Sequence, residues 1–222
     1  MKLALFSPTI FEVSKTLKQL EAEFEFNEGV FSKDDLSIKV QVIGVGMVNT
    51  SLRSSRLIQE FQPDLCILMG VAGTFKDSLD IGTVVNVIEE SYGDLGAEDA
   101  EGNFLSIFDL GLAEADQFPF TNKKLANQSK DFAFLKKVRS ISLNTSSGFT
   151  PNIEKLKALY DVDIENMEGA AFFQTCLEYK VPFLEIRSIS NKVESRNKEN
   201  WNLALAIENL NNILLEMIQS IS

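Results

Sequence analysis

The sequence predicts a single α/β domain over residues 1–222, with a mixed, mostly parallel central sheet and helices on both of its faces. Short apolar runs of strand length recur along the chain, and segments with helical spacing separate them. Strands that alternate with helices are typical of a parallel or mixed sheet covered on both sides. At 222 residues the chain is long enough to bury one full hydrophobic core.

The first part of the chain alternates strand and helix signals. Residues 2–6 form an apolar run typical of a buried strand, and residues 11–20 predict a helix, so that Glu12 lies at its start. Alternating apolar and polar residues over 36–42 predict a second strand. A second helix is expected over residues 48–61.

The middle of the chain predicts two more strands and a long irregular segment. Residues 65–69 are continuously apolar, as in a buried central strand. Residues 70–73, Gly-Val-Ala-Gly, predict a tight turn, because they lack the glycine spacing of a phosphate-binding loop. Residues 82–88 predict the next strand. Residues 92–127 carry several phenylalanines without a regular pattern, so we expect an ordered segment that lines a pocket or a subunit interface.

The C-terminal half completes the predicted sheet. Residues 138–143 predict a strand, and a helix follows with Thr150 as its cap and Pro151 in its first turn. Residues 183–191 predict a short buried strand. The last helix is expected over residues 198–218, where apolar residues recur at helical spacing.

Composition excludes several classes of function. The net charge of -11 makes a nucleic acid or an anionic membrane an unfavourable partner. The absence of histidine removes the usual general base, the usual zinc ligand and any Ser-His or Cys-His catalytic pair. Cys66 and Cys176 lie in apolar surroundings without C-x-x-C spacing, which indicates buried thiols in a reducing compartment. With no signal peptide and no bilayer-length apolar run, we expect a cytoplasmic protein.

Two polar segments lie where an open α/β sheet binds ligands. Residues 163–171 carry Glu168 at the start of a helix, which should end before Pro182. Residues 183–191 form a predicted strand that ends at Asn191. Ligands bind outside the carboxyl ends of strands in such sheets. Both segments are therefore expected to meet at one candidate site.

Each candidate residue also has an ordinary structural explanation. Glu12 and Glu168 stand at helix starts, where an acid complements the helix dipole, and Asn191 is of a type that caps turns. Because the chain has no histidine, a general base must be a carboxylate or a rarer group, which favours Glu12. Phe149 is either a core aromatic or a platform on which a base stacks. Glu165 is expected to face solvent.

Taken in order, several short motifs form a pattern that spans nearly the whole chain. They stand at residues 12–13, 44–49, 63–64 with 70–73, 147–149, 166–171 and 181–191. The pattern resembles the purine nucleoside phosphorylase and nucleosidase superfamily, on the side of the methylthioadenosine/S-adenosylhomocysteine nucleosidases. Residues 94–106 and 189–201 resemble the futalosine hydrolases in particular, which cleave futalosine to hypoxanthine and dehypoxanthine futalosine in a menaquinone pathway.

The resemblance implies a nucleoside phosphorylase-like fold and an N-glycosidase that acts on a small-molecule purine nucleoside. It further implies a homo-oligomer, dimer or higher, that needs neither a metal nor an organic cofactor. It assigns water activation to Glu12, handling of the leaving purine to Asn191 and base stacking to Phe149. It assigns ribose binding to Met167 with Glu168, and contacts beside base and ribose to the turn of Val71, Ala72 and Gly73.

Asn191 departs from the methylthioadenosine nucleosidases, which carry Asp at that position. An Asp can donate a proton to N7 of adenine, whereas an Asn cannot. An Asn amide can accept from a protonated N7 and donate to a 6-oxo oxygen, which a carboxylate would repel. Asn191 therefore indicates a 6-oxopurine nucleoside, and futalosine is the expected substrate.

Three alternatives stay open beside futalosine hydrolysis. The first is a methylthioadenosine/S-adenosylhomocysteine nucleosidase, and the second is a nucleoside-binding protein without turnover. The third, a phosphorylase, is disfavoured because residues 7–12 offer phosphate no arginine. Arg53, Arg56 or Arg196 could bind the carboxylated arm of futalosine. Arg187 could instead be a structural arginine that tethers Glu168 or Glu185.

Overall fold

The computed structural model describes residues 1–127 and 134–221, and these ranges contain twelve strands and five α-helices. The strands are β1 Lys2–Ser7, β2 Glu25–Asn27, β3 Val30–Lys33, β4 Leu36–Val42, β5 Leu65–Thr74, β6 Val84–Tyr92, β7 Gly96–Glu98, β8 Phe104–Ser106, β9 Leu125–Ala126, β10 Lys136–Ser142, β11 Ile164–Asn166 and β12 Phe183–Lys192. The helices are α1 Ile10–Glu23, α2 Met47–Phe61, α3 Thr150–Leu159, α4 Gly169–Tyr179 and α5 Leu203–Ile221.

One mixed sheet of ten strands forms the centre of the described molecule, and its main order is β11-β10-β6-β12-β5-β1-β4-β3-β2. Strand β1 runs parallel to β4 and β5, and β5 runs parallel to β12. Strands β6 and β12 are antiparallel. Strand β11 also pairs with β5, so that five strands close into a ring. The predicted mixed, mostly parallel sheet is confirmed.

The helices cover both faces of the sheet, as predicted. On one face α2 and α4 pack into a core that includes Phe61 and Phe172. On the other face α1 and α5 pack into a second core that includes Leu20 and Leu214. In the described part of the chain no helix is long and apolar enough to cross a membrane.

The buried amide of Asn211 fixes the N-terminal helix against the C-terminal one. Its Oδ1 accepts from the backbone N–H of Thr16 at 2.9 Å, and its Nδ2 donates to the carbonyl of Glu12 at 2.8 Å. Because Asn211 is fully buried, these bonds satisfy groups that water cannot reach. The start of α1, with Glu12, is therefore held in a defined place.

Two local predictions are wrong. Residues 70–73 are not a turn, because β5 continues through Thr74 with β12 paired to one edge and β11 to its end. A glycine at 70 is instead required by packing, since a Cβ there would lie 3.2 Å from Cζ of Arg187 and closer still to its Nη1. Thr150 is the first residue of α3 rather than its cap, a position that Phe149 occupies without a side-chain hydrogen bond.

The C-terminal and irregular segments are partly as expected. The last helix begins at Leu203, after a separate 3₁₀ turn at Lys198–Asn200. The segment 92–127 is ordered and contains the small hairpin of β7 and β8 together with β9. Both cysteines are buried free thiols, as predicted.

Candidate active site

The carboxyl ends of β1, β5 and β12 meet at one edge of the sheet, and the candidate residues gather there. Glu12 follows β1, Val71 lies on β5, and Asn191 lies near the end of β12. Glu168 stands between β11 and α4. This juxtaposition of segments 163–171 and 183–191 was expected from the sequence.

Glu12 combines a structural contact with a place at this edge. It closes a capping box: its Oε2 accepts from Thr9 Oγ1 at 2.6 Å and from Thr9 N at 3.0 Å. Its Oε1 accepts from the backbone N–H of Val71 at 3.0 Å. Burial raises the pKa of Glu12, the Thr9 and Val71 donors and the charge of Arg187 oppose the rise, and Glu168 adds to it.

Arg187 is the only arginine in the described ranges that lies fully inside the site, with a 1% exposed side chain. Its Nε donates to Glu185 Oε1 at 2.7 Å, and its Nη1 donates to Glu168 Oε2 at 3.1 Å. Its Nη2 donates to Asn166 Oδ1 at 3.1 Å. Burial alone would lower the pKa of Arg187, but the carboxylates of Glu185 and Glu168 together raise it. The tether that the sequence left open is therefore present.

Glu168 has partners that a simple helix-start acid would not need. Its Oε1 accepts from the backbone N–H of Gly46, and its Oε2 accepts from Arg187, both at 3.1 Å. The first turn of α4 is capped instead by Asn166, whose Oδ1 accepts from the N–H groups of Glu168 and Gly169 at 2.8 and 2.6 Å. Glu168 is thus held from two sides, by the loop of Gly46 and by Arg187 on β12.

The prediction for Glu165 is wrong, since only 5% of this residue is exposed. It lies on β11, which pairs with β10 on one side and with β5 on the other, so that solvent reaches neither edge. Its Oε1 accepts from the backbone N–H of Ser147 at 2.9 Å. Burial raises the pKa of Glu165, and the hydrogen bonds from Ser147 and Ser146 oppose the rise. Glu165 therefore anchors the loop that carries Phe149.

The residues assigned to the base lie around this loop and the end of β5. Phe149 is 63% exposed, which rules out the core-aromatic alternative and leaves its ring free to stack. The Asn191 Oδ1 accepts from Ser190 Oγ at 2.7 Å, and its Nδ2 donates to the Lys192 carbonyl at 2.8 Å. A Cβ on Gly73 would lie 3.2 Å from that Nδ2, so glycine permits the close approach.

The remaining predicted residues occupy the same region. Ala72 is buried on β5, and Met167 is half-buried directly before Glu168. All eight predicted residues thus lie at or near one edge of the sheet, and their chemical roles stay predictions.

A cavity of about 810 Å³ opens beside Phe149. Its wall is built from the β7–β8 hairpin, the 145–149 loop, α3 and Arg196, so segment 92–127 does line a pocket. Of the three arginines considered for a carboxylate, Arg196 alone lines this cavity. Arg56 pairs with Glu60 at the surface, and Arg53 donates to the carbonyl of Val42.

Sequence reasoning offered Glu168 and Glu185 as alternative partners of Arg187, and it missed that Arg187 binds both of them together with Asn166. Glu185 and Arg187 are two residues apart on a fully buried strand, so their side chains share one face. Charged residues are almost never fully buried unless paired. A glutamate and an arginine at alternate positions of an otherwise apolar strand therefore indicate a buried ion pair. Within residues 1–127 and 134–221, no group of three or more possible ligands is placed to hold a metal ion.

Comparison with known proteins agrees with this architecture. The family model of the phosphorylase superfamily matches residues 6–219. A 5'-methylthioadenosine/S-adenosylhomocysteine nucleosidase from Maridesulfovibrio salexigens is 28% identical over 200 residues, which are 87% of each chain. The nucleosidase of that name from Shewanella oneidensis is 28% identical over 215 residues, covering 94% of this chain and 89% of the relative.

Solved structures share the fold at lower identity. A futalosine hydrolase mutant from Helicobacter pylori superposes with a TM-score of 0.80 at 19% identity, covering 99% of both chains. A Colwellia psychrerythraea 5'-methylthioadenosine/S-adenosylhomocysteine nucleosidase in complex with adenine gives 0.77 at 22% identity, covering 99% of this chain and 95% of that one. With the family model matching all but a few terminal residues, the chain is an enzyme that belongs to the phosphorylase superfamily.

Proposed function

We propose that this protein is a nucleosidase that hydrolyses the N-glycosidic bond of a purine nucleoside. The observation that carries the proposal is the buried group of Glu12, Arg187 and Glu168 at the carboxyl edge of the sheet. Glu12 forms no salt bridge among the described residues and can take a proton. Glu168 is held by Arg187 and can accept hydrogen bonds from hydroxyl groups.

In the proposed reaction a water molecule attacks C1' of the ribose while the C1'–N9 bond breaks. The bonding electrons leave with the purine, which takes up a proton from solvent at N7. The sugar passes through an oxocarbenium-like state, and Glu12 takes a proton from the attacking water. Glu168 accepts hydrogen bonds from the ribose hydroxyls, and Asn191 holds the departing base. Positioning and a preorganised field supply most of the rate enhancement.

Water is a better nucleophile for this site than phosphate. Residues 7–12 contain no lysine or arginine, and Glu12 would repel an anion at the place of attack. A phosphorylase needs cations at that place. The charge arrangement thus supports hydrolysis.

Two substrate classes compete, and different observations favour each. The curated relatives are methylthioadenosine/S-adenosylhomocysteine nucleosidases, and they support an adenine nucleoside. Asn191 supports a 6-oxopurine nucleoside such as futalosine, because an amide cannot protonate N7 but can donate to a 6-oxo oxygen. One Nδ2 proton goes to the Lys192 carbonyl, and the other can serve the substrate. A futalosine hydrolase among the structural relatives makes that substrate worth testing first.

A homo-oligomer is part of the same proposal. Five apolar side chains are exposed on two segments that meet where Gly44 N donates to the Pro8 carbonyl at 3.0 Å: Ile10, Phe11, Val45, Val48 and Leu52. Exposed apolar patches of this kind mark protein interfaces. Light scattering on the purified protein should give a mass of a dimer or higher; a monomer at micromolar concentration would contradict it.

The deciding experiment mixes purified protein with futalosine, methylthioadenosine or inosine and follows the free base by chromatography. Hypoxanthine from futalosine, at a rate unchanged by added phosphate, supports the 6-oxopurine hydrolase. Adenine from methylthioadenosine supports the alternative and overturns the interpretation of Asn191. Release that depends on phosphate overturns hydrolysis, and no release from any substrate favours a nucleoside-binding protein.

A further inference from the structure

The Glu185 carboxyl group lies directly beneath the proposed catalytic groups. Its side chain is fully buried, and its Oε1 accepts from Arg187 Nε at 2.7 Å. Its Oε2 has no hydrogen-bond partner among the described residues. Leaving one carboxylate oxygen unpaired in the protein interior is costly, so the contact with Arg187 is the main compensation for burying Glu185.

A second buried carboxyl, Glu90 on β6, lies next to it across Gly169. A Cβ on Gly169 would lie 2.6 Å from Glu90 Cδ and 2.7 Å from Glu185 Oε1, so both carboxyl groups meet at this glycine. Glu90 accepts from Asn166 Nδ2 at 2.6 Å and from Ser142 Oγ at 2.9 Å, and has no cation beside it among the described residues. Burial, followed by the charge of Glu185, raises the pKa of Glu90 well above its ordinary value. Burial raises the pKa of Glu185 as well, but the Arg187 guanidinium 2.7 Å away opposes that rise, so the geometry favours Glu185 as the charged member of the pair.

We infer that Glu185 is a positioning residue for the proposed hydrolysis: through Arg187 it fixes Glu168 and limits the positive charge that Arg187 offers to Glu12. The inference rests on the proposed function for its kinetic part. The guanidinium donates from three nitrogens, to Glu185, to Glu168 and to Asn166, so its plane is fully determined. The contact with Glu185 is the one hydrogen bond of Arg187 Nε among the described residues, so its loss would release the Nε edge of the guanidinium.

The charges around Glu12 make this role measurable. The groups that face its carboxylate are Arg187 from β12, Glu168 from the start of α4, and the uncharged donors of Thr9 and Val71. Replacing Glu185 by Gln keeps an acceptor for Arg187 Nε but removes the negative charge beside the guanidinium. The charge of Arg187 then acts more strongly on Glu12, so the acid limb of the kcat/KM profile should move to lower pH.

The matched control is Ser188→Ala. Ser188 directly follows Arg187 on β12, is fully buried, and has no hydrogen-bond partner for its Oγ among the described residues. It neighbours Arg187 on β12 but points to the opposite face of the sheet. This variant changes a buried polar group on the same strand, and its pH profile should match that of the wild type.

Glu185→Ala tests the geometric part. It leaves Arg187 Nε without an acceptor in the protein interior, and the resulting misplacement should lower kcat/KM by about a hundredfold. Because Gln restores the acceptor, Glu185→Gln should recover most of kcat at a pH above the acid limb. Equal losses in both variants would overturn the positioning role.

The experiment that separates this inference from the proposed function is a carboxyl ¹³C NMR titration of Glu12, identified by the signal missing from Glu12→Gln. A lower titration midpoint in Glu185→Gln than in wild type and in Ser188→Ala supports the inference, even for a protein that cleaves no nucleoside. An unchanged midpoint overturns it, even for an active nucleosidase. Failure of the wild type to release a base instead overturns the proposed function alone.

Discussion

Replacing Gly169 by Ala should destabilise the protein, although alanine is the better helix former. Gly169 is the first residue of α4 and has no Cβ where two buried carboxyl groups converge. A methyl group there would lie 2.6 Å from Glu90 Cδ and 2.7 Å from Glu185 Oε1. Both distances are far below van der Waals contact, so the two carboxyl groups would have to move.

The size of the effect follows from these contacts. Overpacking a buried site costs about 1–3 kcal/mol. Moving Glu90 away from its Asn166 donor leaves a buried group unpaired, at a further cost of about 1–3 kcal/mol. The helix preference of alanine returns at most about 1 kcal/mol. The net loss in the free energy of unfolding should be roughly 3 kcal/mol, a fall in Tm of about 6–12 °C for a chain of this size.

Urea denaturation, followed by the fluorescence of the single tryptophan, measures this loss. The matched comparison is the same substitution in a Glu90→Ala background, where the nearer carboxyl group is gone. There the added cost of Gly169→Ala should fall by at least about 1 kcal/mol, since groups in contact do not act additively. Strict additivity, or a Gly169→Ala protein as stable as wild type, would refute the packing argument.

Three further predictions concern single side chains. Glu12→Gln should fold but lose about 10²–10⁴-fold in kcat by removal of the base; near-normal turnover in the base-release assay would reject that role. Asn191→Asp should lower hypoxanthine release by roughly 10²-fold or more, because a carboxylate repels the 6-oxo oxygen, and unchanged specificity would contradict this. Burial raises the pKa of Glu90, so its protonated form stabilises the fold at low pH, and this contribution is lost as pH rises toward the folded pKa. In urea denaturation at several pH values, the free energy of unfolding of Glu90→Gln should lack that decline. If the wild-type and variant free energies change in parallel with pH, Glu90 is charged in the folded protein.

Local sequence was sufficient to predict most elements of this fold. The Thr9–Glu12 capping box begins α1, and the apolar run before Asn191 became the buried strand β12. These features depend on residues that are close in sequence, where spacing carries the information. The error at residues 70–73 has the opposite cause. The glycines there have the local pattern of a turn, but Gly70 makes room for Arg187, which lies on a strand that is distant in sequence and adjacent in the sheet.

The sequence by itself determined the fold class, the segments that carry the candidate residues and the absence of a histidine base. Only the tertiary structure decided the burial of Glu165 and the network of Arg187, Glu185 and Glu90. Glu90 meets Asn166 across 76 residues of chain, and Arg187 meets Glu168 across 19. Such contacts depend on which strands pair and in what register, and no local periodicity records that choice.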